Sequence, residues 1–276
     1  MKDNYLLGAK RSGIAIGAYN VNTYDEMLAI ADLAAACNQQ VILMASMSCV
    51  RFIGAGHFAS LVRLLNAERP VSIKSHLDHC TDPNMVIQCA KSGFDMVMYD
   101  GSPLPFEENA AITKDLVQKC HAMGVFVEGE LGVLAGNEGP VKSDVSKFTD
   151  PAEAKKFVEQ TGIDALAVSI GNAHGFYDGE PKLRFDLLEK IAQNCPVPLV
   201  LHGGTGIPAQ DIKKAIGMGI CKVNVGTEIR NSYVQALYAY TQEDPKGDVR
   251  EFVKFLRLKV AESAKRYMDH FSCPNS

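Results

Sequence analysis

Nowhere does this chain run to about 18 consecutive apolar residues, and its opening Met-Lys-Asp-Asn-Tyr-Leu-Leu-Gly-Ala-Lys-Arg lacks the apolar core of a secretory leader. These absences exclude a helical membrane span and lead to the expectation of a cytoplasmic protein with no membrane partner. Excess basic charge is also missing: 28 Lys and Arg face 32 Asp and Glu, for a net charge of −4. Because nucleic-acid backbones are gripped by clustered cations, nucleic acid is not an expected partner, and any basic site must be local. The eight cysteines (37, 49, 80, 89, 120, 195, 221 and 273) include no Cys-x-x-Cys pair and read as reduced, mainly core thiols. Cys80 stands apart, since it follows a candidate metal-ligating histidine. No linker rich in Pro, Gly or Ser divides the 276 residues, and no close internal repeat is found. One domain over 1–276 is therefore expected.

A strand and helix rhythm is what the sequence does contain. Short apolar or β-branched runs fall near 14–19, 41–45, 71–77, 94–99, 125–130, 164–170, 198–202 and 220–225. Helical periodicity follows most of them, as at 24–37, 82–91, 103–123, 150–161, 185–194 and 208–218. Thr-Asp-Pro at 81–83 and at 149–151 supplies a cap followed by a proline that loses nothing in the first turn. Strands that alternate with helices pair in parallel, and eight units with no ninth close most naturally into a (β/α)₈ TIM barrel. Two extra C-terminal helices, 227–242 and 249–270, complete the expected fold. The last packs on the barrel exterior or takes part in a subunit contact.

A barrel gathers the carboxyl ends of all its strands on one face, so residues distant in sequence can build one site there. The third strand runs into Ser75-His76-Leu77-Asp78-His79, the sixth into Ser169-Ile170-Gly171-Asn172-Ala173-His174-Gly175, and the seventh into Leu201-His202-Gly203-Gly204-Thr205-Gly206. Of seven histidines, His79, His174 and His202 occupy such ends, whereas His57, His121 and His270 fall in helical or surface contexts. Three converging neutral imidazoles suit Zn²⁺, with a fourth position left open for catalysis. Strand alternation turns His76 away from His79 and leaves it a supporting or structural role. Asp78 reads either as a proton shuttle beside the substrate or as a buried orienter of a neighbouring imidazole.

Phosphate binding has a separate signature. Gly203-Gly204-Thr205-Gly206 and Val223-Asn224-Val225-Gly226-Thr227 each end a strand and lead into a helix. Loops after the seventh and eighth strands are the usual phosphate seat of such barrels, where backbone N–H groups meet a helix N-terminus. The glycine-rich stretch from Glu128 to Thr149 is too long for a plain connector and reads as a lid or binding loop. Glu130 is placed to face the metal region. Glu138 rides on the loop, as a working carboxylate or a solvated charge.

With these residues assembled, the sequence resembles the class II fructose-bisphosphate and tagatose-bisphosphate aldolase family over nearly its whole length. The likeness rests on His-Leu-Asp-His (76–79), Val-Met-Tyr-Asp-Gly-Ser (97–102) and Glu-Leu-Gly-x-x-x-Gly-x-Glu (130–138). It also rests on Asp-Ala-Leu-Ala-Val-Ser-Ile-Gly-Asn-Ala-His-Gly (164–175), Leu-His-Gly-Gly-Thr-Gly (201–206) and Lys-Val-Asn-Val-Gly-Thr-Glu (222–228). The resemblance implies zinc on His79, His174 and His202, and Asp78 as the acid/base at the aldol hydroxyl. It implies that Gly175, Gly203, Gly204, Thr205, Asn224, Val225, Gly226 and Thr227 contact the dihydroxyacetone phosphate half. Asp100 and Glu130 match positions that hold a second metal or a displaced zinc in some members, and a monovalent cation, Na⁺ or K⁺, is often found near the phosphate. The implied reaction is reversible cleavage of a ketose phosphate to dihydroxyacetone phosphate and an aldehyde. Zinc serves as electron sink in place of a Schiff-base lysine, and Glu138 exchanges the C3 proton. A homodimer or homotetramer is expected.

Three departures qualify the likeness. Cys80 replaces a usual glycine, and Asn137-Glu138-Gly139 is less acidic than the family loop. Ala45-Ser46-Met47-Ser48-Cys49-Val50-Arg51-Phe52 lacks the glycine pattern of sugar-bisphosphate members. If that last loop meets the distal end of the substrate, the aldehyde differs from ordinary glyceraldehyde 3-phosphate. Arg51 then either receives a phosphate or sulfonate, as in a sulfofructose phosphate, or is a surface arginine. Two other functions share the same residues: a non-catalytic companion subunit of a tagatose-bisphosphate aldolase, and a metal-dependent hydrolase.

Overall fold

The computed structural model describes residues 4–138, 141–143, 147–177 and 179–271, without the side chains of 137, 138 and 141–143. In chain order the elements begin with α1 (Tyr5–Ser12), β1 (Ile16–Asn20), α2 (Tyr24–Cys37), β2 (Val41–Ser46), α3 (Met47–Ile53), α4 (Ala55–Glu68) and β3 (Ile73–Asp78). Next come α5 (Pro83–Ser92), β4 (Met96–Tyr99), α6 (Phe106–Ala122), β5 (Phe126–Leu131), β6 (Gly136–Glu138) and β7 (Val141–Ser143). The chain continues with α7 (Pro151–Thr161), β8 (Ala165–Val168), α8 (Phe185–Asn194), β9 (Leu199–Leu201), α9 (Ala209–Gly217), β10 (Ile220–Val225), α10 (Thr227–Glu243) and α11 (Val249–Phe271). Strands β1, β10, β9, β8, β5, β4, β3 and β2 close in that order into an eight-stranded parallel barrel, while β6 and β7 form a separate antiparallel pair. This is the (β/α)₈ barrel with C-terminal helices that the rhythm predicts.

Local chemistry accounts for the element ends. Thr23 and Glu26 form a reciprocal capping box at the start of α2, and Asn38 ends it in the left-handed region at φ 52°. Asp82 and Asp150 cap α5 and α7, with proline in the first turn of each. Barrel strands are buried on both faces, so alternation sorts their side chains into two apolar layers. Leu43, Leu77, Val97 and Val223 point out to the helices, whereas Ala18, Ile42, Met44, Met98, Ala167 and Val200 fill the interior.

Two features were not anticipated from the pattern. Helix α1 inserts Leu6 and Ala9 into the interior cluster and floors the barrel at the amino ends of its strands. Strand β10 slips one place against β9 between Ile220 and Lys222. Ile220 therefore faces the helices with Val223, while Cys221 joins the interior cluster.

Candidate active site

The third strand delivers Asp78 as its last inward residue, fully buried at the barrel mouth. Asn20, at the end of β1, donates from Nδ2 to Oδ2 of Asp78 over 2.8 Å. Asn224, near the end of β10, donates from Nδ2 to Oδ1 over 3.0 Å. Both carboxylate oxygens are thereby held by neutral amides from two neighbouring walls. The side-chain oxygens of Asn20 and Asn224 are themselves buried without a hydrogen-bond partner. Unsatisfied buried acceptors are uncommon and call for a donor from outside the fold.

His79 follows directly and has φ 43°, in the left-handed region that non-glycine residues seldom enter. That turn brings its ring back toward the axis, although parity alone would direct it outward. Its Nδ1 lies 3.1 Å from Oδ2 of Asp100 and 3.6 Å from Oε2 of Glu130. Its Nε2 faces Nδ1 of His202 at 2.5 Å. The His79 ring centroid is 4.6 Å from that of His174 and 4.4 Å from that of His202, and His174 and His202 are 6.3 Å apart.

One ligand atom from each of the three histidines lies within 4.8 Å of the others. Burial, followed by the charge of His79, pushes the His202 imidazole well below its usual pKa and keeps it neutral, the form a metal requires. His79 and His202 each also turn one ring nitrogen to a carboxylate, as metal-bound imidazoles commonly do. The donor set fits a divalent ion of the zinc type.

Asp100 and Glu130 are also buried and form a second group with His79, again within 4.8 Å. Their environments push them apart. Burial alone would raise Asp100, but the hydrogen bond and charge of His79, with the Ser102 hydroxyl and amide, bring it down to about 2. Glu130 is raised well above the carboxylate range by burial and then by Asp100, and its Oε2 has no hydrogen-bond partner.

The loops after β8 and β9 are tied together. Asn172 donates to the His202 carbonyl over 3.0 Å and accepts from the Ile170 amide. The Tyr177 hydroxyl donates to the Gly203 carbonyl at 3.0 Å and accepts from the Ala173 amide at 2.9 Å. Gly203 has φ 62°, and a Cβ there would collide with the Ala173 carbonyl oxygen. The Gly204 amide donates to the Asn224 carbonyl at 2.8 Å, which joins the loop after β9 to the end of β10. Thr205 is buried and accepts from the Glu228 amide. Val225 and Gly226 are buried, and Thr227 starts α10, whose N-terminus has no side-chain cap. A Cβ at Gly226 would run into Oδ1 of Asn20. Gly175, with φ 94°, follows His174 on the half-buried β8 loop.

The remaining predicted residues are less engaged. Arg51 lies exposed on α3, directly after β2 and on the same face as the histidines. Glu138 lies on β6 by its backbone, and its side chain falls outside the described residues. His57 and His121 are used elsewhere: His57 meets the Ile53 carbonyl and His121 meets Asp164. Burial pushes the Cys80 thiol up to about 11, and its Sγ donates to the Asp82 carbonyl at 3.3 Å.

Sequence reading missed Asn20 and the group beneath the site. Glu128 and Lys222 are both fully buried, with Nζ 2.9 Å from Oε2, and Glu128 Oε1 lies 2.8 Å from Nε2 of His202. Their signal was parity: Glu128 shares the inward face with Glu130, and Lys222 shares it with Asn224.

An imidazole trio beside a doubly held carboxylate, at the carboxyl ends of a closed parallel barrel, defines a metal-dependent barrel enzyme. Comparisons with known proteins narrow that class. The class-II fructose-bisphosphate aldolase family model matches residues 2–276. A fructose-bisphosphate aldolase of Staphylococcus aureus is 40% identical over 278 residues, covering 98% of this chain and 96% of the relative. The crystal structure of the YdjI aldolase from Escherichia coli K12 superposes with a TM-score of 0.86 at 31% identity, covering 97% of this chain and 95% of that one. A putative fructose-1,6-bisphosphate aldolase from Coccidioides immitis superposes at 0.88 with 28% identity, covering 98% and 97%. The chain belongs to the class-II fructose-bisphosphate aldolase family and is a metal-dependent ketose-phosphate aldolase.

Proposed function

We propose that His79, His174 and His202 hold zinc and that the enzyme cleaves a ketose 1-phosphate carrying a second anion, of the fructose or tagatose 1,6-bisphosphate or sulfofructose phosphate type. The observation that carries this reading is the convergence of the three rings beside Asp78, whose two oxygens are already oriented by Asn20 and Asn224. When bound, zinc supplies a Lewis acid for the negative charge that develops on the carbonyl side of the breaking bond.

The chain's own residues do the rest. Asp78 takes the proton of the C4 hydroxyl as the C3–C4 bond breaks, and returns it in the reverse direction. The buried amide oxygens of Asn20 and Asn224 receive substrate hydroxyl donors, which supply the partners they lack. Gly175, Gly203, Gly204, Thr205, Asn224, Val225, Gly226 and Thr227 seat the phosphate of the dihydroxyacetone half, where the uncapped start of α10 favours a dianion. A monovalent cation, Na⁺ or K⁺, sits beside that phosphate. Glu138 exchanges the proton at C3. Asp100 and Glu130, with His79, offer a second metal position or one for a displaced zinc. Arg51 receives the distal phosphate or sulfonate. Its guanidinium is exposed, and nothing among the described residues pairs with it. Exposed Val234, Leu237 and Tyr238 on α10 support a homodimer or homotetramer, and the working compartment is the cytoplasm.

The test is release of dihydroxyacetone phosphate from fructose, tagatose and sulfofructose phosphates by purified protein, with and without chelator. Turnover of one of them, abolished by chelation and restored by zinc, is the expected result. No turnover of any of the three by zinc-loaded protein rejects the substrate assignment. Arg51→Ala should raise KM for the doubly anionic substrate about tenfold or more while leaving kcat nearly unchanged.

A further inference from the structure

A charged group lies one layer below the histidines. Lys222 points into the barrel from β10 and is fully buried. Its Nζ donates to both oxygens of Glu128, at 2.9 and 3.2 Å, and to Nε2 of His76 at 3.3 Å. Glu128 Oε1 in turn faces Nε2 of His202 at 2.8 Å, while Nδ1 of His202 is the nitrogen turned to Nε2 of His79. Lys222, Glu128, His76 and His202 thus form a continuous chain of polar contacts from β10 through β5 to the site, with all four residues buried.

The direction of each bond follows from what the groups can do. An ammonium only donates and a carboxylate only accepts, so His76 accepts at Nε2 and Glu128 accepts from Lys222. Glu128 can then meet His202 only if the histidine carries its proton on Nε2. That choice leaves the lone pair on Nδ1, aimed at the metal position. Removing one member of a buried ion pair from an apolar interior is costly, and a well-packed apolar pair would serve stability at least as well. A lysine and a glutamate in this layer therefore need a reason other than stability.

We infer that Lys222, acting through Glu128, is a positioning residue that locks His202 in the Nε2–H tautomer and so presents Nδ1 to the zinc. The inference rests on the three-histidine reading of the metal site. His76 serves the same end by accepting the remaining donor of Lys222, which keeps the ammonium seated against Glu128.

Two measurements test this. In zinc-loaded, full-length enzyme labelled with ¹⁵N-histidine, the His202 resonances, assigned against a His202→Gln variant, should show a proton on Nε2 and none on Nδ1. A proton on Nδ1 overturns the inference. Zinc affinity is then measured by competition with a chromophoric chelator for wild type, Lys222→Met and the double variant Lys222→Met with Glu128→Gln. The double variant leaves no unpaired buried charge, and the amide at 128 can donate as well as accept, so it no longer selects one tautomer. Zinc Kd should rise about 10–100-fold in both variants, the usual effect of losing a partner behind a metal ligand. A double variant with the wild-type circular dichroism spectrum and the wild-type zinc Kd would reduce the pair to a structural role and overturn the inference. Wild-type protein that binds no zinc through His202 would instead reject the metal-site reading itself.

Discussion

Asn20 donates its side-chain amide to Oδ2 of Asp78 over 2.8 Å, from the first barrel strand to the third, past the second strand that separates them. Asn224 holds the other oxygen. A carboxylate with both oxygens held cannot swing, so on the proposed reading the C4 hydroxyl comes to it. Asn20→Ala should therefore lower kcat by on the order of 10–100-fold, the value of one hydrogen bond to a charged group, with zinc content unchanged. Steady-state kinetics with metal analysis on the same sample checks this, and an unaltered kcat would remove Asn20 from the machinery.

Asp78→Ala removes the proposed acid/base group while the three imidazoles remain. Turnover should fall by roughly 10²–10⁴ with stoichiometric zinc retained. Loss of zinc along with turnover would identify Asp78 as a support for the metal site and not as a proton carrier.

His202→Ala should abolish zinc binding and activity together, since two remaining imidazoles fall short of the ligand number of a catalytic zinc. Metal analysis after dialysis decides the matter. Stoichiometric zinc in this variant would contradict the ligand assignment.

Acid stability should depend on Asp100. Its folded pKa, about 2, lies below the ordinary aspartate value of 3.8. In the window between these values the unfolded chain binds more protons, so the contribution is fully present above about pH 4 and is lost as pH falls toward 2. A depression of this size corresponds to about 2 kcal/mol. Urea unfolding of the metal-free protein at pH 6 and pH 3 should show a smaller loss for Asp100→Asn than for wild type. Equal losses would exclude this origin.

Gly203→Ala places a methyl group against the Ala173 carbonyl at a positive φ. A cost of about 1–3 kcal/mol in stability is expected. The same change should weaken inhibition by dihydroxyacetone phosphate, because the loop after β9 must move away from the loop after β8. A wild-type inhibition constant would separate this glycine from the phosphate seat.

The parts of the site legible in the sequence were those at strand ends. Asp78, His79 and His202 close or directly follow a β-run and His174 lies on the loop after one, and the barrel rule alone brings such positions to one face. The eight strands and the capped starts of α5 and α7 were legible because periodicity and capping are local. Asn20 was passed over because an asparagine after a strand reads as an ordinary turn residue. Its partner is 58 positions away. Lys222 and Glu128 sit 94 positions apart, and nothing before barrel closure shows that β10 and β5 point the two at each other. The orientation of His79 was legible only in part. Alternation separates it from His76, but its return to the axis depends on one left-handed residue, which no pattern announces. Helix α1 escaped for a different reason: in 8 residues it carries only Leu6 and Ala9 as buried contacts, too few to mark a face.

The slip in β10 has a consequence of its own. Below it, Ile220 keys the strand to the outer helices; above it, Lys222 and Asn224 serve the interior. Were the strand ironed straight, one half would have to turn the wrong way. Either an isoleucine would be forced inward, or an ammonium and an amide would swing into oil. A single surplus residue thus uncouples two demands within a six-residue segment, and each half can drift by mutation without dragging the other out of phase.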